Sequence, residues 1–141
     1  MRLVDANVLL YAVDADSRHH DAARRWLDSA LSGADTVLVP WVCALAFLRL
    51  TTSARVYEKP LDVNDAIDIL EGWLAQPTVV VPEPAAGHLG RLREMLSDTG
   101  SGGNLVNDAH LAALALQHRA TVVTFDTDFA RFPGVDWIRP A

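Results

Sequence analysis

Short runs of β-branched residues alternate with longer stretches of helical periodicity along the whole chain, and few folds accept that pattern. Strand-like runs lie at 3–4, 36–39, 78–81 and 121–125, with a weaker one at 137–138. They are almost continuously apolar, as in strands buried on both faces of a parallel sheet. The gaps read as helices. Ser17 caps one that runs to about Leu31 and stops at Gly33, with Ala23, Trp26, Leu27 and Ala30 on one face. Pro40 suits the first position of a second, to about Leu50. Asp62 or Asn64 caps a third, carrying Ala66, Ile67, Leu70, Trp73 and Leu74. A fourth covers 86–97. After the break Gly100-Ser101-Gly102-Gly103, Asn104 opens a long fifth helix. Strands alternating with helices imply right-handed crossovers and a sheet covered on both sides. Ligands of such sheets bind beyond the carboxyl ends of the strands, where the strand order reverses.

The 141 residues fit a single domain, 1–141, large enough to stabilise itself without cross-links. The lone Cys43 excludes a disulfide framework and a multi-cysteine zinc site, and one free thiol suits a reducing, cytoplasmic setting. The longest uncharged run has 13 residues and contains Pro40, short of the roughly 18–20 that a membrane span needs. Met1-Arg2-Leu3-Val4 begins like a signal peptide, but Asp5 interrupts it at once. A net charge of −6 argues against a nucleic-acid binder. Acids clustered around a cation, however, reverse the local field and let an acidic protein meet a polyanion. Fourteen of the 18 acids are Asp, so their placement matters.

Asp5 ends the first strand and Asp126 follows the fourth. If the chain builds one side of the sheet and then crosses back, strands one and four are neighbours and the two carboxylates face each other. An Asp after a strand is more commonly a turn former or a helix cap, and for either residue alone that use weighs equally. Asp108 is more informative. It sits inside the long helix on the face of Asn104, Ala112, Ala115 and Leu116, which should pack on the sheet. A carboxylate there is costly unless paired or metal-bound, and no base lies at helical spacing to pair with it. The positive end of the helix dipole offsets part of the cost. Converging carboxylates need a counter-charge, and oxygen ligands suit Mg²⁺ or Mn²⁺, which can polarise a phosphodiester and activate water.

The order of these motifs resembles the PIN-domain ribonucleases, in particular the VapC toxins of type II toxin–antitoxin pairs, over nearly the whole chain. The likeness rests on Leu3-Val4-Asp5-Ala6-Asn7-Val8-Leu9, on Pro40-Trp41-Val42 with Phe47-Leu48-Arg49, on Gly103-Asn104-Leu105-Val106-Asn107-Asp108-Ala109-His110, and on Thr124-Phe125-Asp126-Thr127-Asp128-Phe129. It implies a three-layer α/β/α PIN-like domain with a central, mostly parallel sheet of four to five strands. It implies Asp5, Asp108 and Asp126 as metal-binding catalytic acids with Asp128 in support, Mg²⁺- or Mn²⁺-dependent cleavage of RNA, a homodimer, and an antitoxin that wraps the toxin. One departure stands out. Similar proteins carry a Glu in the helix after the second strand. Here that helix has no acid, and Ala46, or in a shifted register Leu45, takes its place. The loss predicts weaker metal binding and lower activity.

Among the remaining polar residues, His19 and His20 are expected on the surface, as are Arg49 and Arg55. His110 is expected to be structural. Asn7 is expected to cap the helix that follows the first strand. Thr124 is placed to bond a carboxylate or a metal-bound water. Trp26, Trp41 and Trp73 are read as core or interface anchors, and an apolar groove among them would receive an antitoxin helix. Three rival functions are weaker. A haloacid-dehalogenase-type phosphatase needs a second acid where Asn7 stands, and a late lysine. A response-regulator receiver also needs a late lysine, and Lys59 is misplaced. A catalytically impaired PIN-like binding module stays open because of Ala46.

Overall fold

A computed structural model describes residues 1–100 and 102–141. Ser101, part of the expected glycine-rich break, lies outside the described residues. The strands are β1 (Arg2–Val4), β2 (Val37–Leu38), β3 (Val79–Val80), β4 (Thr121–Val123) and β5 (Trp137–Ile138). The helices are α1 (Ala6–Val13), α2 (His20–Leu31), α3 (Trp41–Thr51), α4 (Val63–Leu74), α5 (His88–Thr99) and α6 (Leu105–His118), with a 3₁₀ turn at Thr127–Arg131. All strand pairs are parallel, in the order β3-β2-β1-β4-β5. The sequence of strands runs outward from β1 and then crosses back, so β1 and β4 are neighbours at the reversal, as expected.

Leu3, Val4, Leu38, Val122 and Val123 are essentially inaccessible, as strands covered on both faces require. On one side α1 packs with α2 and α3, and α3 with α4; α5 packs on α6, which lies against β4. The three-layer α/β/α arrangement follows. The small residues Ala109, Ala112, Ala113 and Ala115 let α6 come close to the sheet, and all four are buried.

Several boundaries move for identifiable reasons. The helix after β1 is capped by Asp5, whose Oδ1 accepts the Ala6 N–H at 2.7 Å, and not by Asn7. Ser17 closes a turn, its Oγ accepting from the His19 N–H at 3.1 Å, so α2 begins only at His20. Pro40 is the residue before α3, with ψ of 147°. Asp62 rather than Asn64 caps α4, its Oδ1 accepting from the Asn64 N–H at 2.8 Å. α5 starts two residues later than expected, after Gly87 at φ +83°, a left-handed conformation suited to glycine. β4 is two residues shorter than the apolar run. Thr124 still donates its N–H to the Ile138 carbonyl at 3.0 Å, but the Phe125 N–H turns to a side chain, Asn7 Oδ1, at 3.2 Å.

Candidate functional site

Parallel register brings the chemistry to one edge. Val4 pairs with Val123 and Val123 with Ile138, so the next residues, Asp5, Thr124 and Arg139, line up across the carboxyl ends of three adjacent strands. Adjacent strands lie about 4.8 Å apart, which makes that row compact.

Thr124 is the hub. It is fully buried, and its hydroxyl donates to Asp5 Oδ2 at 2.8 Å while accepting from the Asp126 N–H at 3.0 Å and from Asn7 Nδ2 at 3.1 Å. Asn7 Nδ2 also approaches Asp5 Oδ2 at 3.3 Å. Asn7 therefore ties the start of α1 to the β4 exit instead of capping a helix. Thr124 bonds a carboxylate, one of its two expected uses. Asp126 in turn caps the 3₁₀ turn, its Oδ1 accepting from the Asp128 N–H at 2.8 Å. That bond fixes Asp128 beside Asp126.

Carboxylate oxygens of Asp108, Asp126 and Asp128 all lie within 4.8 Å of one another. They come from the first turn of α6 and from the segment after β4, so the fold, not local sequence, gathers them. Asp5 stands just behind. It is 9% exposed, and both of its oxygens are engaged by Ala6, Thr124 and Asn7. The structure thus brings the four predicted acids to one edge. The tightest trio contains Asp128 and leaves Asp5 outside it.

The electrostatics record the crowding. Burial pushes the Asp108 carboxyl up to about 7, and the charges of Asp5, Asp126 and Asp128 push the same way. Burial also raises Asp5, against the lowering effect of the Thr124 hydroxyl and the Ala6 N–H, with Asp126 adding repulsion. The only cation paired with the trio among the described residues is Arg131, whose Nε sits 3.7 Å from Asp128 Oδ1 on the surface. Such a pair is worth little. The donor set fits a hard divalent cation: one carboxylate oxygen from each of three residues within 4.8 Å of the others, and excess negative charge.

Cys43 is a neighbour that sequence reasoning passed over. Its buried thiol is pushed well up, first by burial and then by Asp5, and it feels Asp108 as well. Ala46 lies one turn further along the same face of α3, half-buried, whereas Leu45 is 58% exposed. Its spacing from Cys43, which feels the charges of Asp5 and Asp108, puts Ala46 on the face of α3 turned towards the acids.

Other expectations fared unevenly. His19 and His20 are not simply solvated. The His19 ring stacks on Phe125 with centroids 4.5 Å apart, and His20 Nδ1 meets the Tyr11 carbonyl at 2.8 Å. His110 is structural, paired with His88 at 2.8 Å. Arg49 and Arg55 are exposed. Trp26 and Trp73 line separate cavities and Trp41 is half-exposed, so neither cavity brings the three tryptophans together among the described residues. A cavity of about 410 Å³ bordered by Val13, Asp14, Thr51, Tyr57 and Lys59 lies at the far end of α1 from Asp5.

Fold and site together define an α/β protein whose parallel sheet presents a cluster of carboxylates at its switch point. The chain belongs to the PIN domain family, whose model matches residues 2–135. It is 53% identical over 140 residues to the ribonuclease VapC37 of Mycobacterium tuberculosis, covering 99% of this chain and 97% of that one. Among solved structures, VapC20 of Mycobacterium tuberculosis, a sarcin–ricin-loop-cleaving toxin, superposes with a TM-score of 0.73 at 19% identity, covering 99% of this chain and all of the other. VapBC2 from Rickettsia felis, bound to a DNA fragment from its promoter, gives 0.69 at 21% identity, covering 99% and 98%. No helix among the described residues is long and apolar enough to cross a membrane.

Proposed function

We propose that this chain acts as one PIN-like domain, a Mg²⁺- or Mn²⁺-dependent endoribonuclease of the VapC toxin type. The observation that carries the reading is the convergence of Asp108, Asp126 and Asp128 within 4.8 Å at the carboxyl edge of the sheet, with Asp108 driven up to about 7. The cap made by Asp126 and the surface pair of Asp128 with Arg131 leave most of that negative charge without a counter-charge. Asp108, Asp126 and Asp128 would hold the ion directly. Asp5, its oxygens already hydrogen-bonded, would act as the fourth catalytic acid and reach the ion as a ligand itself or through water. Once bound, the ion would polarise the scissile phosphate and lower the pKa of the attacking water. The protein's own part is orientation: Thr124 holds Asp5 and the Asp126 backbone, and the Asp126 cap holds Asp128. The family relationship to proteins named ribonucleases supports RNA as the substrate.

The partner reading follows the same relatives. A cognate antitoxin would cover the toxin, as toxin–antitoxin complexes among the structural neighbours suggest. Trp41 and Leu45, one turn apart on α3 and 50% and 58% exposed, offer an apolar strip for its helix. A homodimer acting in the cytoplasm completes the proposal.

Ala46 bears on how strong the activity is. No carboxylate comes from that face of α3, so the ion would be held by one group fewer than in relatives carrying a Glu. The test is cleavage of structured RNA with and without Mn²⁺, by this chain and by its Ala46→Glu and Asp126→Asn variants. Chelator-sensitive cuts, increased by Ala46→Glu together with tighter Mn²⁺ binding and abolished by Asp126→Asn, are expected. Absence of cuts from both this chain and its Ala46→Glu variant would instead identify a binding module.

A further inference from the structure

The chain carries few bases near its acids, yet the same strand edge gathers a basic flank that the catalytic trio does not use. Arg139 is the residue immediately beyond β5, level with Asp5 and Thr124 in the register. Its Nη2 donates to the Phe125 carbonyl at 2.9 Å, one residue before Asp126. The ring of Phe125 is stacked by His19, and Arg18 Nε lies 3.3 Å from His19 Nε2. Tyr11 closes the cluster edge-on to Phe125 at 5.4 Å. The turn that delays the start of α2 therefore brings Arg18 across to the mouth of the site. Arg18 and Arg139 are both exposed, and neither makes an ion pair with a carboxylate among the described residues. An arginine has five donors in a rigid fork. The Phe125 carbonyl occupies one donor of Arg139, and the others remain for a ligand.

We propose that Arg18 and Arg139, spaced by the His19–Phe125 stack, grip the backbone phosphates of single-stranded RNA next to the scissile bond. This rests on the reading of the neighbouring acids as a phosphodiester-cleaving centre. It explains how an acidic protein with a net charge of −6 holds a polyanion. An ion held by the acids would offset the charge of the reacting phosphate, and the two arginines meet the adjoining ones, with bidentate geometry available at each. Both positions lie on elements anchored to the same β4 exit that carries Asp126, so phosphate grip and catalysis share one rigid frame.

The test measures binding without cleavage. A fluorescent single-stranded RNA is titrated with the full chain in chelator, across a range of salt, for wild type, Arg18→Gln/Arg139→Gln, Arg18→Lys/Arg139→Lys, and a control pair, Arg24→Gln/Arg55→Gln. The Gln pair is expected to weaken binding about tenfold at low salt. It should also lower the slope of log affinity against log salt by about 1.4, near 0.7 per phosphate contact on a single strand. The Lys pair should restore most of the slope, and the control pair should change neither. With Mn²⁺ present, KM should rise while kcat holds. If the double Gln variant disturbs folding, Arg18→Gln alone, an exposed residue whose side chain bonds the neighbouring His19, should still lower the slope by about 0.7. An unchanged slope and affinity in a folded Gln variant, or an equal loss in the control, overturns the proposal. If wild type binds with the expected slopes but never cuts RNA, the nuclease reading fails while the phosphate grip stands.

Discussion

Replacing Asp108 by Asn should make the metal-free protein more stable, because the native fold confines that carboxylate with three others. Its pKa is raised from 3.8 to about 7, chiefly by burial and then by Asp5, Asp126 and Asp128. A group that holds its proton more tightly when folded contributes stability below its unfolded pKa and loses it as pH climbs to its folded value. The window here runs from about 4 to about 7. A shift of about three units corresponds to ~4 kcal/mol if fully realised. Asp108 is only half-buried, and solvent screening reduces the figure to ~1–2 kcal/mol. In a domain of this length that amounts to a Tm shift of about 3–6 °C. Urea or thermal unfolding of chelator-treated wild type and Asp108→Asn would be compared at about pH 4 and pH 8. The variant should match wild type at the acid end and exceed it at the basic end. Saturating Mn²⁺ should invert the order, since a ligand at about 100 times its Kd adds ~2.7 kcal/mol to the protein that binds it. Parallel pH profiles for the two proteins, or a metal-free variant weaker than wild type at pH 8, would refute the reasoning.

Three further outcomes are expected. Thr124→Val removes a buried hydroxyl that serves Asp5, Asn7 and the Asp126 N–H, and should cost about 2–4 kcal/mol in denaturant unfolding while loosening Mn²⁺ binding measured by calorimetry. Burial and then the neighbouring His88 hold the His110 ring below its ordinary pKa, so stability from that position is present above about 6.5 and lost as pH falls through the lowered value. His110→Gln should flatten that acid-side loss in a pH series of melting curves. Arg119 ends α6 at φ +54°, a conformation that costs a side chain about 1 kcal/mol, and Arg119→Gly should raise the Tm by a few degrees without altering metal affinity.

The order of elements, the parallel sheet and the neighbouring of β1 with β4 were legible in the residues, since buried strands must be continuously apolar and crossovers must be right-handed. Asp108 was legible too, because a lone acid on an apolar helical face is expensive anywhere. Less was visible in 6–13, where an evenly apolar run shows no period and the cap doubles as a site acid. The roles within the site depended on tertiary structure. Register decided that Asp5, Thr124 and Arg139 stand in one row. Hydrogen bonds spanning more than a hundred residues decided that Asn7 is a latch, that Thr124 is a hub and that Asp128, not Asp5, completes the closest trio. Sequence specifies which side chains are available and which surfaces must be buried. Which oxygens end up within reach of one cation depends on a few ångströms of docking between distant segments, and no local pattern encodes that distance.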